Sequence, residues 1–469
     1  MPVRSVRTII LLAFLSFICE RAGIASDTKP AERPNIVYIL LDDAGYGDLS
    51  CYGQKQFQTP NIDRLAAEGL RFTNHYSGST VCAPTRCSLM TGLHTGHTHV
   101  RGNREVKPEG QAPMPADIVT IPRLLQKAGY VTGAFGKWGL GAPASASDPA
   151  RHFNQFFGYN CQRQAHNYFP THLWDNKERV ELDGKTYTAT MIFDEALQFV
   201  RDQQDQPFFL FLPVTIPHAA MHAPEDYVRP FRSQFSQYED VIGKYSGPEV
   251  KNPVAAFAGM MTLMDDQVGE LMSLLKELEL DQQTLVMLSS DNGPHREGGH
   301  QPDVFDSNGP LRGYKRDLYE GGIRAPLIAR WPGQISPGGT SDLVSAHWDM
   351  LPTFCELGGA DVPDGLDGIS LLPELTGKDS QPRHEYLYWE FYERGGKRAV
   401  RFGDWKAVQL NLESVDQVEG IELYNLSSDI SESNDVAQMH PKHVAAARQM
   451  FAEAHTPSKF WSFGRKKKR

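Results

Sequence analysis

The sequence predicts an α/β fold, a mostly parallel sheet flanked by helices, with a smaller C-terminal subdomain of antiparallel sheet plus helix. Three observations carry this. Several apolar runs are unbroken rather than alternating, as in strands buried on both faces. Helical patterns separate those runs, the arrangement that builds parallel sheets. After about residue 380 the texture changes to short alternating strands.

In chain order, residues 1–25 read as an export signal. Arg4 and Arg7 give the positive start, residues 9–18 (IILLAFLSFI) the apolar run, and Gly23 and Ala25 the small residues of a cleavage site. That run is too short to cross a bilayer, which takes about 20 residues, and no later segment is apolar enough to serve as an integral membrane segment. Residues 36–41 (IVYILL) are the first buried strand, ending at Asp42-Asp43. Residues 120–129 and 187–202 read as helices. Residues 207–214 (PFFLFLPV) form a second buried strand running out to His218. Met260, Met264, Val268, Leu271, Leu275 and Leu278 fall three or four apart and share one helix face. Residues 285–288 (LVML) are a third strand, ending near Asp291-Asn292. A helix is expected over 343–359, and a loop-rich stretch over 363–376. Strands follow at 386–389, 399–402 and 405–408, then a helix at 443–454. The domains expected are a catalytic α/β domain at 26–378 and a C-terminal subdomain at 379–469 that ends in a basic, solvated tail.

Composition narrows the partners. The chain has 469 residues, 22% charged and 40% hydrophobic. Loss of residues 1–25 removes three Arg and one Glu from the 47 basic and 57 acidic residues, leaving a net charge of −12. An acidic surface argues against a nucleic-acid partner, whose phosphates call for basic residues. An anionic substrate therefore needs a local basic pocket. Cys51, Cys82, Cys87, Cys161 and Cys355 remain, an odd number that leaves zero to two bridges if one cysteine has another task.

In parallel sheets ligands gather at the carboxyl ends of strands. Asp42, Asp43, Asp291 and Asn292 cluster there and offer only oxygen, which suits calcium, with magnesium the alternative. Either pair alone could cap a helix, but four such groups together would repel one another without a cation. In residues 81–92 (VCAPTRCSLMTG), Pro84 is expected to push Ala83 into an extended conformation and so make a shaped turn. Arg86, four residues on from Cys82, is placed to reach back towards it.

Cys82-Ala-Pro84-Thr-Arg86, continued to Thr91-Gly92, resembles the signature of the type I sulfatases, whose cysteine is converted to Cα-formylglycine. Residues 34–53 resemble that family's opening strand and first metal ligands, and residues 129–141 its second signature. Residues 289–293 resemble its later metal pair, 311–326 its lysine loop and 422–437 its C-terminal strand. The resemblance implies an alkaline-phosphatase-like fold and a sulfuric ester hydrolase acting on a sulfated carbohydrate or a small sulfate ester. The formylglycine-generating machinery would act on the chain during maturation. The resemblance assigns Asp42, Asp43, Asp291, Asn292 and modified Cys82 to calcium, Arg86 and Lys137 to the formylglycine side chain and the sulfate, Lys315 to a sulfate oxygen, and His218 to protonation of the leaving alcohol. It also implies that an aldehyde hydrate attacks sulfur and that its second hydroxyl later expels sulfate, which explains the cysteine and its odd count.

One departure stands out. Where the family has Gly-Lys-x-His, this chain has Gly136-Lys137-Trp138-Gly139. His94, His97, His99, His166, His222, His295 and His300 are the histidines available to take over. His222 and His295 are the substrate-binding candidates, and Tyr168, Phe169 and Trp174 are aromatics suited to a sugar ring. The rival readings are a phosphodiesterase or phosphonate monoester hydrolase of the same superfamily, and a non-catalytic sulfated-glycan binder. Export implies a periplasmic or extracellular site of action.

Overall fold

The computed structural model describes residues 1, 33–378, 380–413 and 420–463. The expected export signal, beyond residue 1, and the basic tail lie outside the described residues. From Arg33 onward the described residues form one compact unit.

The main sheet has ten strands: β1 (Asn35–Leu41), β2 (Leu70–Phe72), β3 (Val131–Lys137), β4 (Gln155–Tyr159), β5 (His172–Asp175), β6 (Glu178–Glu181), β7 (Phe208–Pro213), β8 (Thr284–Ser290), β9 (Leu327–Arg330) and β10 (Gly339–Ser341). Their order across the sheet is β10-β2-β9-β8-β1-β7-β3-β4-β5-β6. The central run from β8 to β4 is parallel throughout. Antiparallel β9, β5 and β6 make the whole sheet mixed.

Every residue of β1 is buried. Val37, Ile39 and Leu41 face one core, and Ile36, Tyr38 and Leu40 face another on the opposite side. A strand covered on both faces has no polar side to alternate with, hence its unbroken apolar run. The helices that do the covering are α1 (Cys82–Thr91), α2 (Ile121–Lys127), α3 (Thr188–Asp202), α4 (Pro253–Glu277) and α5 (Met350–Gly358). Asn252 starts the long α4 by accepting a bond from the Ala255 amide at 3.0 Å.

The helix expected over 343–359 is shorter. Ser345–Ala346 pairs with His75–Tyr76 instead, and the turn His347–Asp349 precedes α5. The Asp349 carboxylate fixes this by accepting from the Ala346 amide at 2.7 Å. The loop-rich 363–376 carries one short helix, Leu372–Thr376. All five described cysteines are free, so among them no bridge forms.

The C-terminal sheet is antiparallel, in the order β11 (Leu387–Phe391), β12 (Lys397–Phe402), β13 (Trp405–Gln409) and β14 (Ile421–Asn425), with α6 (Pro441–Glu453) against it. Polar contacts, buried at Lys406 and part-buried at Lys397, fasten it to the segment around residues 316–320. Lys406 Nζ lies 2.9 Å from Glu320 Oε1, and Lys397 Nζ donates to the Arg316 carbonyl at 2.7 Å.

Candidate active site

Cys82 begins α1. Val81 before it is extended, and all ten residues of the helix are buried. The extended conformation expected at Ala83 does not occur, since Ala83 and Pro84 lie in the first helical turn. A proline fits there because that turn's amides have no partner within the helix. The thiol therefore sits at the positive end of a helix.

Because Leu41 is in register with Ser290, the residues that follow β1 and β8 emerge side by side. Asp42 and Asp43 meet Asp291 and Asn292 there, all fully buried. The Asp43 amide donates to Asp291 Oδ1 at 3.0 Å and holds Asp43 at φ 66°, a conformation that side chains other than Asn and Asp seldom take. The Cys82 thiol donates to Asp42 Oδ1 at 3.4 Å.

A ring of buried cations surrounds this nest. Lys137, the last residue of β3, places Nζ 2.6 Å from Asp42 Oδ2 and 3.4 Å from the Cys82 sulfur. Arg86 pairs with Asp291 Oδ2 at 2.8 Å and also donates to the Lys137 carbonyl. Lys315 Nζ lies 2.7 Å from Asp43 Oδ2 and 3.2 Å from His218 Nε2. His218 Nδ1 is bonded to the Ala219 carbonyl, so Nε2 is the nitrogen turned towards the nest.

The electrostatics are set by burial opposed by these pairs. Burial pushes Asp42 up, but Lys137 and Arg86 outweigh it and hold the carboxyl below its usual range. Asp43 is held further down, with Lys315 and His218 overcoming its burial. Asp291 goes the other way: burial, then repulsion from Asp42, raises it to about 7. Burial and then Asp42 raise the Cys82 thiol well above its usual value, so the unaltered side chain stays protonated and unreactive. Burial and then Lys315 hold His218 well below the ordinary imidazole value.

The nest fits a hard cation. Asn292 Nδ2 donates to Asp43 Oδ1 at 2.7 Å while its own Oδ1 is buried without a partner. Turning that amide over would bring two oxygens together, which a cation permits and an empty space does not.

The structure thus brings Cys82, Arg86, Lys137, His218, Lys315 and the four oxygen-bearing residues into one cluster. His295 joins at its edge, its ring 5.7 Å from that of His218. His222 faces elsewhere: its Nε2 is 2.8 Å from the Pro248 carbonyl, and it lines a cavity with Phe169 and Val228. Gly139 adopts φ +71°, and the Gln162 amide occupies the space a side chain there would need, with Nε2 3.0 Å from where a Cβ would stand. Of the histidines available to take over, His166 alone lies flat on His218, with centroids 4.3 Å apart. His94 and His97 pair with Asp367, His99 packs on Phe460, and His300 stacks on Phe257. Tyr168 is buried with its hydroxyl on the Thr215 carbonyl and so is closed to a sugar, whereas Phe169 packs on Tyr187 beside the His222 cavity and Trp174 is bonded to Glu109 through its indole N–H. Sequence reasoning missed Tyr245, which touches His166 and His218. It stands between two-residue strands that have no readable periodicity.

Buried lysines and an arginine converging on one side chain at the head of a helix describe an enzyme for esters of a small tetrahedral oxyanion. Comparison with known proteins gives the family. The sulfatase profile matches residues 34–360, and the profile for the C-terminal part of N-sulphoglucosamine sulphohydrolase matches residues 313–455. N-acetylgalactosamine-6-sulfatase of Canis lupus familiaris is 32% identical over 421 residues, covering 84% of this chain and 74% of that one. Human arylsulfatase A is 34% identical over 418 residues, covering 82% and 76%. The crystal structure of Ps i-CgsB in complex with k-i-k-neocarrahexaose superposes with a TM-score of 0.77 at 28% identity, covering 90% of this chain and 93% of the other. The chain belongs to the sulfatase family and is a sulfuric ester hydrolase.

Proposed function

We propose that this protein is an exported, calcium-dependent sulfatase that releases inorganic sulfate from a sulfated carbohydrate, using residue 82 after its conversion from cysteine to formylglycine. The observation that carries the reading is the placement of Cys82, buried at the head of a helix, against Asp42 and Lys137. A plain cysteine in that setting is a poor nucleophile, whereas a precursor has no need to be a good one. We take residues 26–378 as the catalytic domain and residues 379–469 as its C-terminal subdomain.

Asp42, Asp43, Asp291 and Asn292, with residue 82, are assigned to the cation. Bound calcium and the aldehyde hydrate at residue 82 supply the acidified hydroxyl nucleophile and charge neutralisation at the sulfuryl oxygens. The chain's own side chains do the rest. Lys137 and Lys315 are set to grip sulfate oxygens, and being fixed and desolvated they need no rearrangement as charge grows there. Arg86 opposes the burial that raises Asp291 and braces the strand end at Lys137. His218 Nε2 faces the same space and is assigned to proton delivery to the departing alcohol oxygen. The negative charge of a bound sulfate ester favours the protonated imidazole, offsetting the burial that otherwise keeps it neutral. The N-acetylgalactosamine-6-sulfatase relative and the k-i-k-neocarrahexaose bound in the similar structure favour a sugar substrate.

The test is mass spectrometry of tryptic peptide 72–86 from protein made in a host with the modifying machinery, with sulfate release measured alongside. An aldehyde oxygen in place of sulfur at residue 82, in protein that hydrolyses sulfate esters faster than the matched phosphate esters, is the expected result. Full activity from an unaltered thiol, or faster phosphate ester turnover, would sink the reading.

A further inference from the structure

We propose that His166 and Tyr245 form a leaving-group subsite that holds the ring of the sulfated sugar beside His218. The inference rests on the sulfatase reading and adds to it the surface that recognises the sugar.

His166 closes the turn Gln164–His166 beyond β4 and stacks on His218 with centroids 4.3 Å apart and planes 5° from parallel. Tyr245 presents itself edgewise to both rings, at 5.2 Å from His166 and 5.7 Å from His218. Among the described residues neither ring nitrogen of His166 has a hydrogen-bond partner, and the Tyr245 hydroxyl has none either. Tyr245 is also 39% exposed, unusual for a large aromatic packed against buried groups. The two side chains together offer apolar ring surface bordered by unspent hydrogen-bonding atoms. A pyranose is the complement, with a C–H face and a rim of hydroxyls.

The position is held rather than loose. Tyr245 lies on the connection between Ile242–Gly243 and Val250–Lys251, which pair as a two-stranded ribbon. Gly247 on that connection lies so close to Asn167 that a Cβ would come within 2.4 Å of Asn167 Oδ1. Beside it opens a cavity of about 360 Å³ lined by Asn167 and Ser246, the next residues after His166 and Tyr245, with Glu109, Arg163 and Gln164. That volume lies within the range of small-ligand sites, about 300–1,000 Å³, and leaves room for a second sugar. His218 fixes the orientation: the atom to be protonated joins sulfate to leaving group, so whatever carries that atom must pass the rings that pack on His218.

The test uses the calcium-loaded Cys82→Ala protein, which holds ligand without turnover, and calorimetric binding of a panel of monosulfated hexoses and hexosamines. Methyl sulfate, with the same charged group and no ring, is the control. At least one sugar sulfate should bind about tenfold or more tightly than methyl sulfate. Tyr245→Ala and His166→Ala should each remove most of that advantage and change methyl sulfate affinity less than about twofold, while Tyr245→Phe keeps most of it. His166→Asn, which retains a polar head of similar reach, replaces His166→Ala if the latter fails to fold. The subsite is overturned if no sugar sulfate outbinds methyl sulfate, or if the variants weaken both ligands equally or neither. Failure of the sulfatase reading looks different, since the unsubstituted enzyme would then release no sulfate from any ester.

Discussion

Arg86 and Asp291 pair at 2.8 Å with both side chains out of solvent. Asp291 is raised to about 7 even with that partner, so the guanidinium opposes a large burial penalty and a repulsion from Asp42. Arg86→Leu should cost about 3–5 kcal/mol in the calcium-free protein, the usual result of leaving one buried charge alone. Calcium should restore most of the loss, because the ion supplies the missing positive charge. Chemical denaturation with and without calcium makes the comparison, and a loss that calcium does not reduce would count against a cation in this nest.

Asp291 also sets a pH dependence. An unfolded aspartate releases its proton near 3.8, and folded Asp291 does so at about 7. Between those values the unfolded chain binds fewer protons, so this group lowers the metal-free protein's stability as pH rises. Calcium bound there, as proposed, would need the ionised carboxylate and would offset the penalty. The rise in Tm on adding calcium should be larger at about pH 8 than at about pH 5. An equal rise at both would show that Asp291 is not a ligand.

His218→Ala should discriminate between leaving groups. Alcohols of sugars leave poorly without a proton, whereas 4-nitrophenolate leaves readily as an anion. The kcat on a sugar sulfate should fall by about 10²–10⁴, the span of general acid catalysis, and on 4-nitrophenyl sulfate by far less. Equal losses would assign His218 to binding.

Restoring a histidine after Trp138 should fail. Gly139→His places a Cβ 3.0 Å from Gln162 Nε2 at φ +71°, so strain and crowding both rise. A loss of about 1–3 kcal/mol, seen as a lower midpoint of unfolding, is the expectation. Gln162→Ala in the same chain should recover the crowding part alone. A fully stable single variant would mean that the Gln162 amide moves aside freely.

Much of the site is legible in the sequence. Asp42, Asp43, Asp291 and Asn292 are readable because each pair follows a strand whose apolar run stops abruptly, and parallel strands deliver their ends to one edge. Cys82, Arg86, Lys137 and Lys315 come from short motifs with fixed spacing. What escaped has a physical explanation. The helix expected at 343–359 gave way because Ser345–Ala346 satisfies its backbone against residues about 270 positions earlier, a contact no local pattern encodes. Tyr245 meets His166 across 79 residues of chain, and its ribbon is too short to alternate. Tyr168, an aromatic beside the right histidine, proved to be core because its hydroxyl finds two backbone carbonyls inside.

The first turn of α1 lies inside the folded protein, and Cys82 itself is 2% exposed. An enzyme that converted this side chain, as proposed, would have to meet it while the segment is still unfolded. The opportunity closes when β8 docks beside β1 and Arg86 finds Asp291, a contact spanning 205 positions. If residue 82 is converted as proposed, maturation and folding compete for the same stretch of chain. Molecules that fold first would be sealed as well-formed but inert protein, so the fraction that works would depend on expression rate and host as much as on stability.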